Sequence, residues 1–281
     1  MTVKIVTDTL SDITGDLAEE LGITVVPLYV RFGDQVYRDR VEITSEEFYR
    51  RLVSEDILPS TTQPTPNDFV EVYNKLAEET DEILVIVISS KLSGTYQSAT
   101  NAKSMLKNKC RIEVIDSLKV AMGLGLIAIT AAEAAQSGAS LEEVIAIVNA
   151  RIPRSHLVLY FETLQYLAKG GRIGKAKGLL GAMLSIKQIL TLKDGEIAPL
   201  TQRRSKSAGM EYIHSFVARF PNIEKLAIEY CTTPEDVDKL TELISPLFPK
   251  DKIYQSTVSP VLGAYAGPGA LAVSIIEAEG S

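Results

Sequence analysis

Glu82-Ile83-Leu84-Val85-Ile86-Val87-Ile88 runs through six consecutive apolar positions without alternation. A strand with one wet face alternates apolar and polar residues, so an unbroken run predicts a strand covered on both faces of a parallel sheet. Helical spacing takes over at Ala99, Ala102, Met105 and Leu106. Between them, Ser89-Ser90-Lys91-Leu92-Ser93-Gly94-Thr95-Tyr96-Gln97-Ser98 is a stretch of small and hydroxylic residues, and the whole reads as strand, loop, helix. The pattern repeats along the first half of the chain. Val3–Thr7 is predicted as a strand ending at Asp8, Thr14–Leu21 as a helix stopped by Gly22, and Ile23–Leu28 as a second strand. Arg31–Val41 is polar, with a hairpin turn at Gly33-Asp34. Thr44-Ser45-Glu46-Glu47 is a capping box opening a helix through Val53, and Thr65-Pro66-Asn67-Asp68 opens the next, with proline at the first helical position. Leu58–Pro64 between them is predicted as a loop, Pro64 biasing Gln63 towards an extended backbone and leaving the hydroxyls of Thr61 and Thr62 free. Arg111–Ile115 is a strand ending at Asp116. Helices follow over Leu118–Gln136 and, behind the capping box Ser140-Leu141-Glu142-Glu143, over Leu141–Arg151.

The character changes after Pro153. Leu157–Phe161 reads as a strand, followed by a short helix to Lys169 and a glycine-rich basic turn. Ile186–Leu192 and Glu196–Leu200 flank Asp194-Gly195, a strong two-residue hairpin signal. Helices at Ser205–Phe220 and Pro234–Leu247 alternate with strands at Lys225–Cys231, Ile253–Ser256 and Leu271–Ile275. The prediction is an α/β protein of two domains, residues 1–157 with a largely parallel sheet and 158–281 with a mixed sheet including a β-hairpin, the boundary falling near 153–162.

Charge changes this picture in one place. The formal net charge is −7, which argues against a general nucleic-acid binder. Yet Lys169, Arg172, Lys175, Lys177, Lys187, Lys193, Arg203, Arg204 and Lys206 face only Asp194 and Glu196 in their stretch, a local excess of +7. Such a surplus suits a docking face for something acidic, with solvated lysines as the plain alternative. Cys110 and Cys231 are far apart without metal-ligand spacing, as expected of two reduced thiols in a cytoplasmic protein. No charged-then-apolar leader opens the sequence, and the most apolar stretch, Val120–Ala132, is too short to span a bilayer.

Catalytic constellations are sparse. His156 and His214 lack partners at ligand spacing and read as structural; there is no Gly-x-Ser-x-Gly elbow and no phosphate-binding Gly-x-x-x-x-Gly-Lys loop. Asp8 and Asp116 end strands, where acids of open α/β sheets often act, although each can equally brace the loop that follows. What remains is a set of uncharged donors. Thr61, Thr62, Ser93 and the Gly94 amide suit a carboxylate, which accepts several hydrogen bonds without needing an ion pair. A strand–loop–helix turn also favours an anion at the helix N-terminus, but Ser93 can serve merely as an N-cap.

Ser-x-Leu-Ser-Gly-Thr-Tyr-Gln-Ser-Ala at 90–99 resembles the central motif of the DegV family, the bacterial fatty-acid-binding proteins. Four further stretches agree in order and spacing: Val6–Asp12, Ser60–Pro64, Leu164–Ile173 and Gly263–Leu271. The resemblance implies that Thr61, Thr62, Ser93 and Gly94 hold a long-chain fatty acid's carboxyl group and that the acyl chain lies in an apolar tunnel between or beneath the domains. Leu179–Leu184 and Val261-Leu262-Gly263 are candidate linings, a core role being equally compatible with each. Burying about 14 methylenes of a sixteen-carbon chain contributes on the order of 11 kcal/mol before ordering costs. It further implies a carrier rather than an enzyme, with no cofactor or metal. Its partner is a separate fatty acid kinase subunit that makes acyl phosphate for phospholipid synthesis, and membrane contact is at most transient. Two departures stand out: Tyr265 replaces the usual histidine over the carboxyl group, and Gln188 the usual proline of an Ile-Lys-Pro-Ile-Leu strand. A phenol offers an O–H donor but lacks the charge an imidazole can acquire near neutral pH, which bears on phosphoryl transfer more than on binding. Arg172 and Arg204 match arginines on the partner-facing side. Alternatives are a stand-alone enzyme, with Ser93-Gly94-Thr95 cradling phosphate and Asp8 or Asp116 as base, and a lipid-sensing interaction protein.

Overall fold

A computed structural model describes residues 2–55, 57–106, 110–179 and 186–279. In the first half, strands β1 (Lys4–Asp8), β2 (Ile23–Val26), β3 (Tyr29–Phe32), β4 (Gln35–Arg38), β5 (Ser60–Thr62), β6 (Glu82–Val87) and β7 (Arg111–Asp116) alternate with helices. These are α1 (Gly15–Leu21), α2 (Ser45–Ser54), α3 (Pro66–Leu76), α4 (Thr95–Met105), α5 (Met122–Gln136) and α6 (Leu141–Arg151). Strands β2-β1-β6-β7 form an all-parallel sheet, as the unbroken apolar run predicts. Its outer face packs on α3 and α4 through Phe69, Tyr73, Ala99 and Ala102. Strands β4-β3-β5 make a separate small antiparallel sheet.

The second half contributes β8 (Ser155–Phe161), β9 (Lys187–Lys193), β10 (Glu196–Arg203), β11 (Ile223–Tyr230), β12 (Ile253–Thr257) and β13 (Leu271–Glu277). Its helices are α7 (Gln165–Lys169), α8 (Lys206–Val217), α9 (Pro234–Ile244) and α10 (Pro260–Ala266). The strands form one mixed sheet in the order β10-β9-β8-β13-β11-β12, parallel only between β11 and β12. The chain is thus two α/β domains, an N-terminal parallel sheet and a C-terminal mixed one. Asp194 and Gly195 take φ of 57° and 80°, the left-handed pair that a two-residue hairpin turn requires. Helices α8 and α9 cover the outer face of the mixed sheet through Met210, Ile213 and Leu240.

Helix α5 lies between the two sheets, against β1 on one side and β11 and β13 on the other. Leu124, Leu126, Ile127 and Ile129 are fully buried there, so the main apolar core runs continuously from Ile5 and Leu84 to Ala227 and Ala272. The order through the molecule is therefore helices, parallel sheet, α5, mixed sheet, helices.

Local signals fare well where side chains cap backbone. Both halves of the boxes at Thr65/Asp68 and Ser140/Glu143 are made. At Thr44 only one half forms, because the Glu47 carboxylate is taken by Arg50 at 2.7 and 2.8 Å. Two expectations need correction, and one helix was not anticipated. Thr61 and Thr62 lie on a strand, not a loop, since Val30 and Tyr29 pair with them. The helix expected from Leu118 begins at Met122, because Leu118 and Ala121 take positive φ of 53° and 59° and cannot continue it. Helix α10 has no signal in a stretch of proline and glycines, yet Pro260 sits at its first turn, where proline is tolerated.

Candidate functional site

Three segments converge where β3–β5, the loop after β6, and α10 meet. The loop after β6 is held from beneath. Asp8 at the end of β1 accepts hydrogen bonds from Leu10 N (2.9 Å) and Ile88 N (2.8 Å). Asp116 at the end of β7 accepts from Ser90 N (3.1 Å) and Leu118 N (3.0 Å). Ser89 donates its N–H to Lys119 O and its hydroxyl to Gly195 O in the β9–β10 turn. Both acids therefore brace loops, and neither is among the residues that line the cavity described below. Burial pushes the Asp8 carboxyl up to about 7 despite its two N–H donors.

The braced loop presents Ser93 and Gly94 at the head of α4. Gly94, not Ser93, occupies the N-cap position. Ser93 Oγ instead accepts from Thr95 N (3.3 Å) and pairs with Thr95 Oγ1 (2.8 Å). From the small sheet, Thr61 follows Val30 towards the interior, and its hydroxyl pairs with the Tyr265 hydroxyl. Tyr265 lies near the end of α10. Its ring rests on Gly170 so closely that a β-carbon there would stand 2.5 Å from Cε1. The Arg172 guanidinium sits 5.5 Å from the ring centroid and donates to Gly170 O (2.9 Å) and Leu92 O (3.4 Å). Thr61, Ser93 and Tyr265 are half-buried, while Thr62 and Arg172 are exposed.

Behind this polar rim lies a cavity of about 330 Å³. Its walls are mainly aliphatic: Leu10 and Leu28 from the N-terminal half, Ile88 after β6, Leu159 on β8, Leu167 on α7 and Val261 on α10. Thr61, Thr62, Ser93, Tyr265 and Arg172 all line it; Gly94 and Arg204 do not. Arg204 is exposed between β10 and α8. Val261 and Leu262 are lining residues as anticipated, and Gly263 is not among them. Leu180–Leu184 lie outside the described residues. Gln63, passed over in the sequence because Pro64 accounted for it, also lines the rim; its place in the Ser60–Pro64 stretch was the available signal.

The pocket is thus mainly apolar, drawn from both domains, with its hydroxyl-bearing lining residues half-buried or exposed. The family model described as an uncharacterised protein of the DegV family matches residues 2–278. The chain belongs to the DegV family. A DegV domain-containing protein of Caldanaerobacter subterraneus is 36% identical, covering 96% of this chain and 97% of its own. Among solved DegV structures, one from Thermus thermophilus, described as showing fatty acid binding, superposes with a TM-score of 0.90 at 33% identity, covering 99% of this chain and 100% of its own. The DegV of Bacillus subtilis, described as a fatty acid binding protein, gives 0.89 at 28% identity over the same shares.

Of the nine basic residues in the 169–206 stretch, three are spent on internal pairs. Lys175 meets Asp194 and Glu196, Lys187 meets Glu162, and Lys206 meets Asp236 at 2.8 Å. Lys169, Arg172, Lys177, Lys193, Arg203 and Arg204 have no carboxylate partner among the described residues. His156 pairs with Glu277 (3.3 Å) and stacks on Phe220, a structural setting. No group of three metal-ligating side chains occurs among the described residues, and no helix there is long and apolar enough to cross a membrane.

Proposed function

We propose that this protein is a carrier for a long-chain fatty acid. The carboxyl group is held at the rim by Thr61, Thr62, Ser93, the Gly94 amide and Tyr265, and the acyl chain fills the cavity behind. The observation that carries this reading is that the cavity's aliphatic lining residues Leu10, Leu28, Ile88 and Val261 are buried, whereas its hydroxyl-bearing ones, Thr61, Thr62, Ser93 and Tyr265, are half-buried or exposed. Its relatives from Thermus and Bacillus, described as fatty acid binding, support it. The half-exposed rim leaves the carboxyl group within reach of a second protein. The reading extends to a separate fatty acid kinase subunit in the bacterial cytoplasm, which forms acyl phosphate for phospholipid synthesis. The cations without a carboxylate partner among the described residues, Arg172 and Arg204 among them, suit an acidic partner or the phosphates of a nucleotide. Tyr265 adds a donor but no cation at the carboxyl group, so the charge meeting a transferred phosphate is assigned to Arg172.

The test is mass spectrometry of the protein purified from a bacterial host, native and after organic extraction. One long-chain fatty acid per chain is the expected result. A ligand-free chain that also ignores added fatty acid would overturn the proposal.

A further inference from the structure

Gln63 stands at the rim between the two donor segments, and the binding mode above does not use it. Its side chain reaches from the end of β5 to the first turns of α4, where Nε2 donates to Ser98 Oγ at 3.3 Å. On the way it lies directly over Gly94. A β-carbon built on Gly94 would stand 2.5 Å from Gln63 Nε2 and 2.6 Å from Cδ. Gly94 has φ −77° and ψ 8°, a backbone conformation open to any residue. A side chain at 94 would therefore displace the Gln63 carboxamide, whose seat is the space that glycine leaves open. A primary carboxamide carries two N–H donors and an acceptor, and the bond to Ser98 uses only one N–H.

We propose that Gln63 is the positioning residue of the carboxyl site. Seated on Gly94, it fixes the separation between the Thr61–Thr62 and Ser93 hydroxyls and offers its second N–H to the ligand's head group. In this way it selects a carboxylate over an uncharged head. The inference rests on the fatty-acid reading above and deepens it.

The test compares a long-chain fatty acid with the fatty alcohol of equal length, measuring dissociation constants for wild type, Gln63→Ala, Gly94→Ala and the double variant. Each single change is expected to weaken acid binding about tenfold, the loss of one hydrogen bond to a charged acceptor, while in Gln63→Ala alcohol binding stays within about twofold. The double variant is expected to be no worse than either single one, because the methyl group that Gly94→Ala introduces already displaces the carboxamide from its seat. Gln63→Glu is expected to lose more acid affinity than Gln63→Ala and to regain part of it as the pH falls. Additive losses, unchanged acid affinity, or acid and alcohol weakening together would overturn the assignment, the last by showing a merely structural role. A wild-type chain that binds neither compound would overturn the fatty-acid reading itself.

Discussion

The rim and the wall of the cavity are built under different constraints. Leu10, Leu28, Ile88 and Val261 belong to the main core and are at most 4% exposed, so each serves folding and lining at once. Thr62, Gln63 and Arg172 line the same cavity but are exposed. A change in the wall is felt by both stability and ligand, whereas a change at the rim is felt mainly by the ligand. The rim is accordingly where recognition can vary with less risk to the fold.

Leu28→Ala probes the wall most severely. It is expected to cost about 2–5 kcal/mol of folding stability, towards the low end because part of its surface already faces a void. The urea midpoint and fatty-acid affinity should fall together; a stability loss with full affinity would detach wall from function. Ser93→Ala probes the rim. Binding should weaken by about 1–3 kcal/mol, while stability changes by no more than about 1 kcal/mol for the lost Thr95 contact. Equal affinity in both proteins, measured by titration calorimetry, would reduce Ser93 to a turn residue.

A further effect concerns a buried acid on the stability side of the comparison. Burial pushes Asp39 up to about 7 although the Arg40 charge pulls the other way. The folded chain keeps this proton to about pH 7, whereas the unfolded chain releases it near 3.8. Native protein thus holds the extra proton between those values, and the Asp39 contribution falls as pH rises through that window and levels off above it. Asp8 acts in the same sense. In Asp39→Asn the drop in urea midpoint between pH 5 and pH 7.5 should be smaller than in wild type; an equal drop would place the linkage elsewhere.

This division also explains what was legible in the sequence. Part of the rim was: the hydroxyls of Thr61, Thr62 and Ser93 stand out against their surroundings and do line the cavity, whereas Gly94 does not and Gln63 gave no separate signal. The wall was not: Leu10, Leu28 and Leu167 look like any core residue until the sheets bring them to one space. The parallel sheet announced itself through Ile83–Ile88, and the second hairpin through Asp194-Gly195. By contrast β5 is three residues long and exists only through its pairing with β3, which no local pattern encodes. The early strain at Leu118 and Ala121 is likewise imposed from outside, by the hold on Ser89 through Lys119 O and on Met122 N through Glu229.

Helix α5 sets how cargo can come and go. Twelve of its fifteen residues are buried, shared between two sheets with no wet face of its own. Prising the sheets apart like a clamshell would uncover several large aliphatic side chains at roughly 1.5–3 kcal/mol each, a sum comparable with the whole stability of a domain. Exchange by that route would amount to unfolding. For the carrier proposed above, traffic is left to the short elements around Thr61, Gln63 and Tyr265, so a lipid's residence time would be governed by a handful of side chains at the doorway and not by the architecture behind it.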